Sequence, residues 1–416
     1  MKIKNGLIIV IMLLLILQIF IPLSIGNKNE ILSKQTAKFN KNCPSNEIIV
    51  IAPNSTFFTT NSYKSYVSYR ENLSFKVTSI SLEPLGNIDA DKIRNLLKSS
   101  FLDGKRRYLL ILGDEYLVPL KYCYNDPRYS WIKVYSDYYY ADLEGDWDKD
   151  EDDKFGEFKE DEVDFIDPEF LVGRLPGKTP QEIDHILNRT IKFDKNTGKW
   201  KSNVLLAGGT ISVPGDSNIV TTLIDRYFTF PKFNVTIIAD DWILFMKPDI
   251  VLNKTSFGDT WKNGAFGLVY VVSHGSETGL FYNSPSGMVE FYEINEVLSL
   301  NPNYPSVFVS IACQSNTQYT GKTLGKELIL FHSVAAIGAT VPTHPGKYFI
   351  SGAWAEIYFI REYLNKAKDL GNAIRITRAK YFNRFVALNN DIYWGKILQT
   401  NLIAFLIYGD PLVKNF

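Results

Sequence analysis

Phe266-Gly267-Leu268-Val269-Tyr270-Val271-Val272-Ser273-His274-Gly275 is an apolar run of strand length that stops on a histidine and a glycine. Further along, Ser306-Val307-Phe308-Val309-Ser310-Ile311-Ala312-Cys313 repeats the arrangement and stops on a cysteine. Short apolar runs of this kind, bounded by turn-forming residues, read as strands buried on both faces, as in parallel sheets covered by helices. If the two strands are parallel neighbours, their carboxyl ends lie on one edge of the sheet, where open α/β folds bind ligands. His274 and Cys313, 39 residues apart in sequence, then face one crevice.

That pairing has a definite chemistry. A cysteine attacks a peptide carbonyl as the thiolate, and a neighbouring imidazole both removes the thiol proton and later delivers it to the leaving amine. Gly275 lets the backbone approach a substrate with no Cβ in the way, and its N–H together with that of Cys313 forms a candidate oxyanion hole, worth about 3 kcal/mol for one such donor. Taken alone, a strand-end cysteine is a packing residue and a lone histidine a structural one; the matching contexts of the two reverse that reading. The other histidines are poorer candidates, because His185 lies within an amphipathic helical pattern, His332 precedes a strand and His344 sits in a Thr-His-Pro loop. The chemistry requires no cofactor.

Outward from this core the chain alternates strands and helices. Ile48–Ala52 and Tyr108–Leu112 are buried-strand runs, separated by a helix from Ala90, with Asp89 as N-cap and Ile93, Leu96, Leu97 and Phe101 along one face. A strand at Glu169–Val172 and a helix from Thr179 follow. Polar residues Lys195–Lys201 then mark a boundary, and a second series of strands begins: Val204–Ala207, Asn234–Ala239, Phe266–Val272, Ser306–Ala312 and Val334–Thr340. Helices are expected at 217–228, 247–262, 351–367 and 370–385, and Leu402–Ile407 is the last apolar run. The reading is an α/β protein of two lobes, 47–198 and 199–416, with mainly parallel sheets flanked by helices.

With 416 residues, 45% apolar, 22% charged and a formal net charge of zero, the chain has no basic excess for nucleic acid. The average conceals a loop at 142–167 with fourteen acids against Lys149, Lys154 and Lys159, a local net charge of −11. Asp142, Asp146, Asp148, Asp150 and Asp152, followed by Glu157, alternate in the rhythm of a calcium loop, although Glu151 stands where glycine is expected. A structural calcium ion is the expectation there, against a solvated acidic loop as the plain alternative.

Lys2 and Lys4 precede an apolar run, Leu7–Ile25, and Ser24 and Gly26 suit a signal-peptidase site. Residues 1–26 therefore read as a signal peptide, or as a membrane anchor through residues 7–25, with 27–46 a polar leader, and the body as extracellular or held at the outer face of the membrane. Sequons at Asn54, Asn72, Asn188, Asn234 and Asn253 agree with that compartment. Of three cysteines one must be unpaired, and Cys313 is the candidate; sequence leaves the pairing of Cys43 and Cys123 open.

His274-Gly275-Ser276-Glu277-Thr278 with Ala312-Cys313 resembles the catalytic pair of the gingipain-type cysteine peptidases, which have a caspase-like fold. Ser136-Asp137-Tyr138-Tyr139-Tyr140-Ala141-Asp142, Val172-Gly173-Arg174 and Tyr408-Gly409-Asp410-Pro411 are similar to further stretches of that family, so the resemblance covers most of 47–416. It implies an exported endopeptidase with protein or peptide substrates, a caspase-like second lobe, and cleavage after Arg or Lys with Asp216 as the acid of the specificity pocket. One departure stands out. The family places an acidic residue after the first strand of the second lobe to orient the histidine, and here that region reads Ala207-Gly208-Gly209-Thr210, so the third catalytic member is open. A sortase-like transpeptidase and a catalytically silent binding protein on the same scaffold are the alternatives.

Overall fold

The structure is a computed structural model that describes residues 45–124, 133–212, 214–229, 232–241, 247–316, 321–341, 351–365 and 369–414. These belong to the unit Cys43–Phe416. Residues 1–44 of the expected leader segments, Cys43 among them, and His344 lie outside the described residues. Among the described residues no helix is long and apolar enough to cross a membrane.

The strands, in chain order, are β1 (Glu47–Ala52), β2 (Lys76–Ser81), β3 (Arg107–Leu112), β4 (Lys121–Cys123), β5 (Val134–Ser136), β6 (Phe170–Leu175), β7 (Asn203–Gly208), β8 (Asn234–Ala239), β9 (Ile250–Val251), β10 (Leu268–Val272), β11 (His274–Gly275), β12 (Gly279–Ser284), β13 (Gly287–Glu293), β14 (Val307–Ser310), β15 (Ala335–Ala339) and β16 (Phe405–Gly409). Eleven of them form one sheet in the order β2-β1-β3-β6-β16-β15-β14-β10-β7-β8-β9. The strands on both sides of the expected lobe boundary thus belong to a single sheet, joined through β16, which runs antiparallel to β15 and bridges to β6 at Tyr408 and Arg174. Parallel pairing dominates elsewhere in the sheet.

Helices α1 (Asn61–Asn72), α2 (Ala90–Phe101), α3 (Pro180–Lys195), α4 (Asp216–Ile224), α5 (Ser256–Asn263), α6 (Leu324–Phe331), α7 (Ser351–Asn365), α8 (Leu370–Tyr381) and α9 (Ile392–Ala404) cover the sheet. The period-two alternation of the strands divides the core between its faces. Val50, Leu110, Leu205, Val271, Phe308 and Ala336 point into one continuous apolar layer that also holds Ile183 and Leu187 of α3. On the opposite face Ile49, Leu109 and Ile111 pack with α2 and α9 at one end, while Leu206, Tyr270, Val309 and Ile337 pack with α4, α7 and α8 at the other.

Local signals account for most boundaries. Asp89 caps α2 by accepting from Lys92 N at 2.8 Å, and Thr179 caps α3, with Pro180 at its first turn. Two expectations need correction, and one pair of strands was not anticipated. The helix expected at 247–262 begins only at Ser256, because Ile250–Val251 add to the sheet edge beside β8. The apolar run Leu402–Ile407 is divided between the end of α9 and the start of β16. Gly279–Glu293 forms β12 and β13, which with β11 make a separate three-stranded sheet. The histidine lies on β11 of this small sheet.

Candidate active site

β10 and β14 are parallel neighbours, with Leu268 opposite Val307 and Val271 opposite Ser310. The two strand-end residues singled out in the sequence therefore leave the sheet on the same edge. Beyond β10 the chain turns directly into β11, so that His274 is fixed by antiparallel pairing with Phe281. Ser276 N donates to Gly279 O at 2.9 Å, closing the turn. Bonded and non-bonded pairs alternate along an antiparallel ladder. With 276 and 279 bonded, the Gly275–Leu280 pair is a non-bonded one, and the Gly275 N–H points away from β12.

Gly275 lies against the main chain of Ala312 and Cys313. A Cβ built there would stand 2.5 Å from Ala312 Cβ and 2.7 Å from Cys313 O, so only glycine allows this approach. After Cys313 the chain turns sharply, with Gln314 at φ 58°, a left-handed conformation that non-glycine residues adopt rarely and that clusters at functional sites. Gln314 N and Asn316 N donate to Val341 O and Ala339 O and hold this turn against β15. His274, Gly275 and Cys313 are each half-buried, and Cys313 is not engaged in a disulfide. They combine restraint with access.

The imidazole has a partner that the sequence did not reveal. His274 Nε2 lies 2.9 Å from the carbonyl oxygen of Ile211, in the loop after β7. Asn283 of β12 donates through Nδ2 to the same oxygen at 2.6 Å and stands 3.2 Å from His274 Nε2. The carbonyl only accepts and calls for a proton on Nε2, while the Asn283 amide only donates and calls for a lone pair there; the shorter carbonyl contact favours the Nε2–H tautomer. Nδ1 is then the basic nitrogen, free to take a thiol proton.

Asp216 begins α4. Its Oδ1 accepts from Ile211 N at 3.0 Å and from Ser217 N at 2.7 Å, and its Oδ2 accepts from Ser212 N at 2.8 Å. The neighbouring Thr210 is held by buried Asp240, through its N–H at 2.7 Å and its hydroxyl at 2.9 Å. Asp240 follows β8 and gave no signal of its own in the sequence.

The acidic loop resolves into two groups. Carboxylate oxygens of Asp148, Asp150 and Asp152 approach within 4.8 Å of one another. Asp142, Asp146 and Glu157 are not in that group. Asp142 is fully buried and accepts from Gly145 N at 2.8 Å and Asp164 N at 3.0 Å, and burial pushes its carboxyl up to about 7. Glu157 is buried beside Lys396 at 3.5 Å, and burial raises its carboxyl above the usual range. Asp146 Oδ1 accepts from Asp148 N at 3.3 Å. Cys123 is a buried free thiol raised well above the usual thiol range by desolvation, the opposite of what a nucleophile needs.

This architecture is shared with known proteins. Residues 42–416 match the model of peptidase family C25. Gingipain R (RGPB), described as an Arg-specific cysteine proteinase, superimposes with a TM-score of 0.63 at 16% identity, over 88% of this chain and 77% of that one. The complex of Porphyromonas gingivalis RgpB pro- and mature domains gives 0.64 at 17% identity, over 88% and 79%. A structure described only as a protease gives 0.65 at 12% identity, over 90% and 79%. No curated protein sequence matches the chain. At such identities the solved structures establish the fold, while the family model spans nearly every described residue, the His274 and Cys313 strand ends included. The chain belongs to peptidase family C25 and is a cysteine-type peptidase.

Proposed function

We propose that the protein is an endopeptidase in which the Cys313 thiolate attacks the scissile carbonyl while His274 Nδ1 takes the thiol proton. The Gly275 and Cys313 N–H groups receive the developing oxyanion. Collapse of the tetrahedral species breaks the C–N bond, and the imidazolium returns its proton to the leaving amine. Water then hydrolyses the thioester, with His274 again as base. The observation that carries this reading is the meeting of the two strand ends, with Gly275 against Cys313 and the far ring nitrogen of His274 held by a carbonyl.

The test is Cys313→Ala. Replacing a half-buried thiol by a methyl group removes the nucleophile and little packing, so hydrolysis should fall to background while the melting curve stays unchanged. Undiminished turnover by the purified variant would falsify the mechanism.

Three finer readings belong to the same proposal. Cleavage after Arg or Lys is supported by the description of gingipain R as Arg-specific, and cleavage-site profiling on a peptide library reads it directly. Asp216 was the pocket acid suggested by resemblance; its engagement with main-chain N–H groups favours a different task, taken up below. Export rests on residues 1–26. A structural calcium ion at Asp148, Asp150 and Asp152 rests on the proximity of their carboxylates.

A further inference from the structure

The orienting acid expected beside the histidine is absent from Ala207-Gly208-Gly209-Thr210, and the histidine meets a peptide group in its place. That peptide joins the carbonyl of Ile211 to the N–H of Ser212. Its oxygen faces His274 Nε2 at 2.9 Å, and its N–H donates to Asp216 Oδ2 at 2.8 Å. One amide thus lies between a carboxylate and the imidazole. We propose that Asp216 is the orienting acid of the His274–Cys313 pair, acting through the Ile211–Ser212 peptide. This rests on the endopeptidase reading and makes Asp216 a positioning residue.

The physical argument has two parts. An amide whose N–H is bonded to an anion gains negative charge on its oxygen, because hydrogen bonds in a chain polarise one another. The Ile211 carbonyl is therefore a stronger acceptor than an isolated peptide and stabilises the imidazolium that forms when the thiol ionises. The second part is placement. Asp216 Oδ1 takes the N–H of Ile211 itself, so both peptides flanking residue 211 are anchored to one carboxylate. Gly209 N donates to Val272 O at 2.9 Å, Gly215 N to the Thr210 hydroxyl at 3.0 Å and Asn283 N to Thr210 O at 2.8 Å, tying the loop to β10 and β12. The carbonyl has little freedom to turn away from the ring.

The Ile211 carbonyl, at 2.9 Å the shorter of the two contacts at Nε2, favours the tautomer with the proton there. With the proton on Nε2, the lone pair lies on Nδ1, as the base requires. Among the described residues, the ionisable groups near this loop include Asp240, bonded to Thr210, and Tyr282 on β12, which is influenced by Asp240 and Asp241. Among the hydrogen bonds of the described residues, the carboxylate bonded to the 211–212 peptide is that of Asp216.

The experiment uses the full chain and its Asp216→Asn variant. Asparagine keeps the shape of the side chain and removes the charge. The first readout is the rate of Cys313 alkylation by iodoacetamide against pH, which follows the thiolate without any substrate. The proposal expects the thiolate to form at higher pH in the variant, with kcat reduced about tenfold and KM changed little for basic and apolar substrates alike. An unchanged alkylation profile, or a loss confined to KM for Arg and Lys substrates, overturns it, the latter returning Asp216 to the specificity pocket. The second readout needs no variant. In nitrogen-15 spectra of the wild-type chain, which has four histidines, His274 Nε2 should carry a proton at neutral pH, and an unprotonated Nε2 overturns the proposal. Failure of the endopeptidase reading would appear elsewhere, as turnover that survives Cys313→Ala.

Discussion

The ends of β3 and β6 and the ends of β10 and β14 occupy the same structural position in two halves of one sheet, and they are finished in opposite ways. At the first, Arg174 is fully buried and bonded on every side: Nε and Nη2 to the two oxygens of Asp137 at 2.8 and 2.6 Å, and Nη1 to the carbonyls of Gly113 and Val118 at 2.8 Å each. At the second, His274 and Cys313 remain half-buried, and a glycine lets β11 pack against the Cys313 main chain. One edge is sealed by a satisfied ion pair. The other is held by backbone contacts that leave its reactive atoms accessible. The difference teaches that topology offers several strand ends to chemistry, and that a site arises where the end is rigid without being closed.

The sealed edge provides the largest expected effect. Arg174→Ala would leave the Asp137 carboxylate buried without its cation, and breaking a buried pair from one side costs about 3–5 kcal/mol. Thermal unfolding of Arg174→Ala should show a large drop in Tm, whereas Cys313→Ala at the open edge should melt as the wild type does. A double variant, Arg174→Leu with Asp137→Leu, should recover much of the loss, because the orphaned charge is removed as well. If Arg174→Ala melts unchanged, the contrast between the two edges is wrong.

A second contrast sets His274 against His332. His332 follows α6 in the core, with its ring edge-on to Trp261 at 5.6 Å, and burial together with Arg189 pushes its imidazole down to about 3. In the unfolded chain a histidine titrates near 6.5. Below that pH the unfolded state takes up a proton that the folded state refuses, so this contribution is complete above about 6.5 and is lost as pH falls towards 3. The whole effect is on the order of 5 kcal/mol, and only part of it is felt at pH 5. Asp142, whose folded value is raised to about 7, acts in the opposite direction and is the reason to measure a difference. His332→Phe should flatten the fall in stability between pH 6.5 and 4 relative to wild type. Parallel stability–pH curves for the two proteins would show that His332 is not held neutral.

The legible parts of this molecule are those in which side chains carry the signal. The two apolar runs ending in His274 and Cys313, the cap at Asp89, the helix start near Thr179 and the strand Asn234–Ala239 could all be read because burial and capping select residue types. Ser136-Asp137 and Val172-Gly173-Arg174 stood out as separate motifs, and only the structure shows that they are two halves of one ion pair. The partner of His274 was illegible for a different reason. Ile211 contributes a main-chain oxygen, which every residue possesses, and its side chain announces nothing. Asp216 was noticed, but spacing alone could not say whether its carboxylate faces a pocket or the loop behind the histidine. The joining of the two strand series into one sheet was hidden as well, because β16 comes from the far end of the chain.

The smallest effect concerns the acidic loop, where an even spacing in sequence gave way to a split in space. Asp142 and Glu157 turned inward to main-chain N–H groups and to Lys396, leaving Asp148, Asp150 and Asp152 together near the surface. Three carboxylates this close repel one another unless a cation lies among them. Two outcomes therefore differ in sign. If calcium is bound, a chelator lowers Tm by a few degrees, added calcium restores it by mass action, and replacing Asp148 and Asp150 by Asn mimics the chelator. If the carboxylates are only solvated, the chelator does nothing, and the same substitutions leave Tm unchanged or raise it by relieving repulsion. Either result also separates the loop from the catalytic edge, since chelation should leave the pH profile of Cys313 alkylation as it was.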